Sequence, residues 1–202
     1  MAASLADHRP PPRTGAGLSA VPAAPERVAA ERPLRLVARP EGLLQIHTAP
    51  YRGSFAAVYS QALRNAGLGS RVLVSQFLKG GVDQGVAGSL RLCGRLQWLR
   101  PAVPLCLEAP PAGALPAELE PARAAVREVW EYSRAQLLAG SVDLMVLDEL
   151  GLAVELGWLE AAEVSEALER RSAHLDVILT GPAMPAALMA MADQVTELRR
   201  GL

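Results

Sequence analysis

The run Val142-Asp143-Leu144-Met145-Val146-Leu147-Asp148-Glu149 is apolar until it ends in two adjacent acids. A buried strand that delivers carboxylates at its carboxyl end can hold magnesium or its water shell and orient a nucleophile beside a bound nucleotide. Acids at a strand end also serve as solvated caps of the next helix, and the run alone does not separate the two readings. A second segment shifts the balance towards a nucleotide site. Thr48-Ala49-Pro50-Tyr51-Arg52-Gly53-Ser54 follows one apolar run and precedes a helical one. A strand, a tight loop and a helix N-terminus are the parts of a phosphate-binding loop, because free backbone N–H groups and the helix dipole point at the anion. Such a loop uses glycines for close backbone approach, a lysine for the terminal phosphates and a Ser or Thr hydroxyl for magnesium. Here Gly53 is kept and Arg52 can meet a phosphate, but Pro50 has no N–H and Tyr51 carries a bulky Cβ. Ser54 and Phe55 fill the lysine and hydroxyl positions. A plain strand-to-helix connection and an anion site both remain open, the first being the commoner outcome for these side chains.

Smaller features carry less. Lys79 is the only lysine among twenty basic residues and closes Gln76-Phe77-Leu78-Lys79-Gly80, where it can reach a ligand crevice or simply be solvated. Thr180-Gly181 before Pro182 is explained by turn chemistry. His47, His174, Cys93 and Cys106 have no ligand or nucleophile spacing and read as structural.

The elements that position these residues follow from periodicity. Short apolar runs alternate with amphipathic stretches of helical length, the signature of βαβ units and a mostly parallel sheet. Strands are expected at 42–47, 71–77, 142–147, 174–179 and 194–198, with a further short one within 90–99. Helices are expected at 54–66, 159–170 and 184–192, and one opened by Pro121 and running to Leu138. The stretch 80–88 is glycine-rich, and 101–121 carries six prolines, so both read as loop. Together these elements give an open, doubly wound, mostly parallel α/β sheet, whose ligands sit beyond the carboxyl ends of the strands. Residues 1–40 are rich in Pro, Ala and Arg and read as a disordered tail, leaving 41–202 as the folded domain.

Composition limits the partners. Half of the 202 residues are hydrophobic, 20% are charged and the net charge is −1, which suggests neither a nucleic-acid binder nor a membrane-surface protein. No apolar stretch reaches the roughly 18 residues of a membrane span. Two cysteines without a neighbouring ligand cluster argue against a disulfide framework or a structural zinc, so a cytoplasmic setting is expected.

Several motifs in one order make a more specific pattern. Arg127-Glu128-Val129-Trp130, the run ending Asp148-Glu149-Leu150, the stretches 164–168 and 177–181, and Ala192-Asp193-Gln194-Val195-Thr196-Glu197-Leu198-Arg199 resemble the P-loop type of ATP:cob(I)alamin adenosyltransferase. Strand one and the segment with Gln76, Phe77, Lys79 and Gly80 resemble the same family, so the likeness covers residues 42–199. The resemblance implies a P-loop fold, often dimeric, that transfers the 5′-deoxyadenosyl group of ATP to the cobalt of a reduced corrinoid in cobalamin synthesis or salvage. It further implies that Thr48, Arg52, Gly53, Ser54 and Lys79 serve ATP, and that Asp148 and Glu149 serve Mg2+. The corrinoid is then a substrate, and the tail is left for a protein partner. One departure is local and large: the family's Gly-Asn-Gly-Lys-Gly-Lys-Thr-Thr stands here as Ala49-Pro50-Tyr51-Arg52-Gly53-Ser54-Phe55-Ala56. Losing contacts to triphosphate at about 1.5–3 kcal/mol each makes catalysis doubtful, and a non-catalytic binding or regulatory protein is the alternative.

Overall fold

Period-two alternation in the apolar strands decides the layers. A computed structural model describes residues 41–53, 55–81 and 85–199, so the expected tail 1–40, Ser54 and the centre of the 80–88 loop lie outside the described residues. Strands β1 (Leu44–Thr48), β2 (Val72–Gln76), β3 (Leu90–Leu92), β4 (Leu96–Leu99), β5 (Leu144–Asp148), β6 (Asp176–Gly181) and β7 (Gln194–Glu197) form one sheet in the order β3-β4-β2-β5-β6-β1-β7. Every neighbouring pair is parallel except β3 with β4. The expected mixed α/β architecture with a mostly parallel sheet is therefore present.

Side chains of one parity, Val72, Val74, Leu144, Val146 and Ile178, pack with Val58, Ala62 and Ala66 of helix α1 (Ala56–Gly67). Those of the other parity, Leu73, Met145, Leu147, Val177 and Leu179, pack on the opposite face. There they meet α2 (Pro116–Ala139), α3 (Leu150–Glu155), α4 (Ala161–Glu169) and α5 (Ala186–Met191). Strands β2 and β5 are buried along their whole length, as parallel strands covered on both faces must be.

Three expectations are corrected. The segment 90–99 holds two strands rather than one, a hairpin whose turn places Cys93 at φ 53° and Gly94 at φ 67°. Both are central residues of the tight turn closed by the Arg95 N–H, which donates to the Leu92 carbonyl at 3.2 Å, within a three-residue connection between the paired Leu92 and Leu96. Helix α2 begins at Pro116, five residues before the expected start, and Pro121 lies inside it. Pro116 occupies the first helical position, where its missing N–H is no loss, and Glu118 reaches back to accept the N–H of Leu115 at 3.2 Å. Helix α3 was not expected, because Leu150–Glu155 shows no long amphipathic period and owes its place to packing against β6.

Candidate functional site

The carboxyl ends of β2, β5 and β6 are in register, with Gln76 opposite Asp148 and Asp148 opposite Thr180. In parallel strands such a row shares one face of the sheet, and parity puts it on the side of α1. Asp148 is fully buried, and both its carboxylate oxygens are engaged. Oδ1 accepts the Thr180 hydroxyl at 2.6 Å, while Oδ2 accepts Lys79 Nζ at 2.8 Å and Gln76 Nε2 at 2.9 Å. Helix α1 adds Tyr59, whose hydroxyl accepts Gln76 Nε2 at 3.2 Å and Lys79 Nζ at 3.4 Å. Burial, then the charge of Asp148, raises the Tyr59 phenol well above its usual range, so it stays protonated. The amide oxygen of Gln76 accepts Trp98 Nε1 at 2.9 Å and Arg100 Nε at 2.6 Å. The Tyr59 and Trp98 rings lie 5.1 Å apart and cover this network.

Glu149, the next residue, points elsewhere because its backbone is left-handed, φ 61° and ψ 21°, at the N-cap of α3. A non-glycine residue there is strained and is held by its surroundings. Its N–H donates to the Thr180 carbonyl at 2.7 Å. Its carboxylate takes the fork of Arg52, Nε to Oε1 at 2.7 Å and Nη2 to Oε2 at 2.8 Å. The third arm of the guanidinium, Nη1, reaches Glu108 Oε1 at 2.8 Å and the Leu107 carbonyl at 3.3 Å. Hydrogen bonding to Glu149 raises the Arg52 pKa, so the cation is permanent. Two acids buried on adjacent residues would repel and desolvate at great cost if unpaired, and each is paired with a cation of this chain.

The residues singled out from sequence are therefore partly assembled. Arg52 meets Glu149, and Lys79 meets Asp148 rather than bulk water, with 23% of its side chain exposed. Thr48 ends β1 opposite Gly181 and Glu197 and makes no side-chain hydrogen bond to either pair. Gly53 has φ 88° on the exposed turn before α1, and Ser54 lies outside the described residues. Phe55 is 1% exposed and packs among Val58, Ala62 and Val146.

As arranged, the two acids do not fit a magnesium ion. All four carboxylate oxygens accept hydrogen bonds and both negative charges are paired, so a divalent cation would sit beside Arg52 and Lys79 with no uncompensated charge to hold it. Among the described residues no cluster of three or more His, Cys, Asp or Glu side chains is arranged to hold a metal.

Gln76, Tyr59, Trp98, Arg100, Thr180 and Glu108 escaped the sequence reading as members of this network. Tyr59 lies within the expected helix 54–66 and Thr180 within turn chemistry, and neither signal names a partner. Trp98 and Arg100 become legible only once β4 is known to lie beside β2. Glu108 carried no signal within a proline-rich stretch.

Comparison with known proteins agrees with the motif order. Residues 40–201 match the family model described as ATP:corrinoid adenosyltransferase BtuR/CobO/CobP. The chain is 32% identical over 158 residues to the corrinoid adenosyltransferase of Escherichia coli strain K12, covering 78% of this chain and 76% of the relative. It is 31% identical over 158 residues to corrinoid adenosyltransferase CobA of Salmonella typhimurium, with the same coverage. The Pseudomonas aeruginosa corrinoid adenosyltransferase is 29% identical over 160 residues, covering 78% of this chain and 74% of the relative.

Proposed function

The chain belongs to the ATP:corrinoid adenosyltransferase family, and from that premise we propose that it is a non-catalytic member, a binding or regulatory protein on the family's scaffold. In this reading it no longer transfers the 5′-deoxyadenosyl group of ATP to a reduced corrinoid. The observation that carries the reading is Phe55. A phosphate loop places a Ser or Thr hydroxyl on magnesium at this position, and here a phenyl ring, 1% exposed, is part of the core under α1. The position cannot be turned towards a ligand without emptying that core, a change of about 3–5 kcal/mol for a buried Phe. Pro50 and the missing loop lysine support the same conclusion, because each removes a donor from the triphosphate cradle.

The test is adenosyl transfer from magnesium-ATP to a chemically reduced corrinoid, followed by formation of the cobalt–carbon bond. The expected rate equals that of a protein-free control. Sustained turnover would overturn the reading and favour the second one, a working transferase, for which the identity to named corrinoid adenosyltransferases over most of their length is the supporting observation.

A further inference from the structure

We propose that Arg52 and Lys79 are resident cations of the strand-end site, standing on Glu149 and Asp148 in place of a divalent metal and making the site independent of one. The inference deepens the reading above but rests on different residues. A metal at this place in a nucleotide-binding fold neutralises strand-end acids and orients phosphate oxygens. The first task is performed here by two covalently attached positive charges. Arg52 forks onto both oxygens of Glu149, whose side chain is 1% exposed, and Lys79 lies 2.8 Å from the fully buried Asp148. The second task is given up, because neither cation is free to face an anion. The remaining arm of Arg52 is spent on Glu108 and the Leu107 carbonyl, and Lys79 Nζ is shared with the Tyr59 hydroxyl and stands 5.8 Å from its ring centroid. Arg100 is held by the Gln76 amide oxygen at 2.6 Å, and among the described residues each of the two buried acids already has a cation of this chain beside it.

The arrangement also explains why a loop without lysine keeps an arginine. A guanidinium presents a planar fork that matches a carboxylate on two oxygens, which a lysine cannot do. Arg52 thereby joins the loop after β1 to the acid after β5 and to the segment holding Leu107 and Glu108, three pieces of chain that the sheet alone does not connect.

The test uses the full chain and Tb3+, an oxygen-seeking cation whose luminescence is sensitised by nearby Tyr and Trp rings, here Tyr59 and Trp98. Wild-type protein is expected to show no saturable signal that Mg2+ displaces, and an unchanged melting temperature between EDTA and excess Mg2+. Arg52→Gln combined with Lys79→Gln exposes both carboxylates and is expected to bind Tb3+ at least about tenfold more tightly than wild type, with displacement by Mg2+. Saturable, Mg2+-displaced binding to wild type, or a melting temperature raised by Mg2+, would overturn the proposal. So would a folded double variant that gains no affinity. Should the double variant fail to fold, the single Arg52→Gln variant, which keeps a donor to Glu149, is expected to gain affinity in the same direction, and the wild-type melting comparison decides by itself. The two readings fail separately. Adenosyl transfer that persists in EDTA would sink the non-catalytic reading and leave the resident cations standing, whereas metal binding without transfer would do the reverse.

Discussion

Thr180 closes the Asp148 network from the β6 side, and its hydroxyl bond to Oδ1 at 2.6 Å is the sole hydrogen bond to that oxygen among the described residues. A hydrogen bond to a buried charged group contributes about 1.5–3 kcal/mol. Thr180→Val, which keeps the shape and removes the donor, is expected to destabilise the protein by about that amount in urea unfolding. A change below about 0.5 kcal/mol would show that Lys79 and Gln76 hold the carboxylate unaided. Glu149 shows the opposite economy: its left-handed backbone is strained, and it persists because the Thr180 carbonyl, α3 and the Arg52 fork all constrain it. At this scale the acid pair was legible in sequence because an apolar run ending in two acids is unusual. The partners were not, since a guanidinium 97 residues from its carboxylate leaves no local pattern.

Gly80 marks where two elements approach too closely for any side chain. A Cβ there would lie 2.0 Å from the Leu105 carbonyl oxygen and 2.8 Å from Val103 Cγ2, so the backbone after β2 and the segment after β4 are pressed together. Gly80→Ala is expected to push that segment away from the strand ends and to destabilise the protein by about 1–3 kcal/mol, the usual penalty of overpacking. Because Leu107 and Glu108 lie on the same segment and hold Arg52, the variant should also loosen the loop after β1. Faster amide exchange at residues 51–53 measures this, and unchanged exchange there would show that the Arg52 contacts do not depend on this packing. Helix α2 makes the complementary point about legibility. Its buried side, Val126, Val129, Trp130 and Leu137, has helical spacing along the chain, whereas its start is ambiguous in sequence, because two prolines in one helix compete until the first is seen to occupy N1.

Strands β2 and β5 are also tied together at the end opposite the site. Arg71, just before β2, holds Asp143, just before β5, through Nη2 to Oδ1 at 2.7 Å and its own backbone N–H to Oδ2 at 2.7 Å. The Arg71 side-chain hydrogen bond, then its backbone one, lowers the Asp143 pKa below the usual carboxylate value. A group whose folded pKa is depressed stabilises the fold fully above its unfolded pKa of about 3.9, and the contribution is lost as the pH falls through the folded value. The melting temperature of Asp143→Asn is therefore expected to lie below wild type at neutral pH, with the gap closing as the pH is taken below about 4. A gap constant down to pH 2 would show that the charge of Asp143 contributes nothing. Both partners are about half exposed, so salt is expected to narrow the neutral-pH gap too.

Local sequence was enough for whatever depends on period and order. Alternating apolar runs determined the parallel sheet and its two covered faces, the motif order determined the family, and the altered loop was visible residue by residue. Tertiary structure alone decided which side chains the acids meet. Whether Asp148 and Glu149 meet metal, water or a cation depends on which side chains the register of β2, β5 and β6 and the turn after β1 bring within 3 Å. That distance is set by the closure of long loops around a packed core, and a charge pair formed in that way has no spacing along the chain by which it could be read.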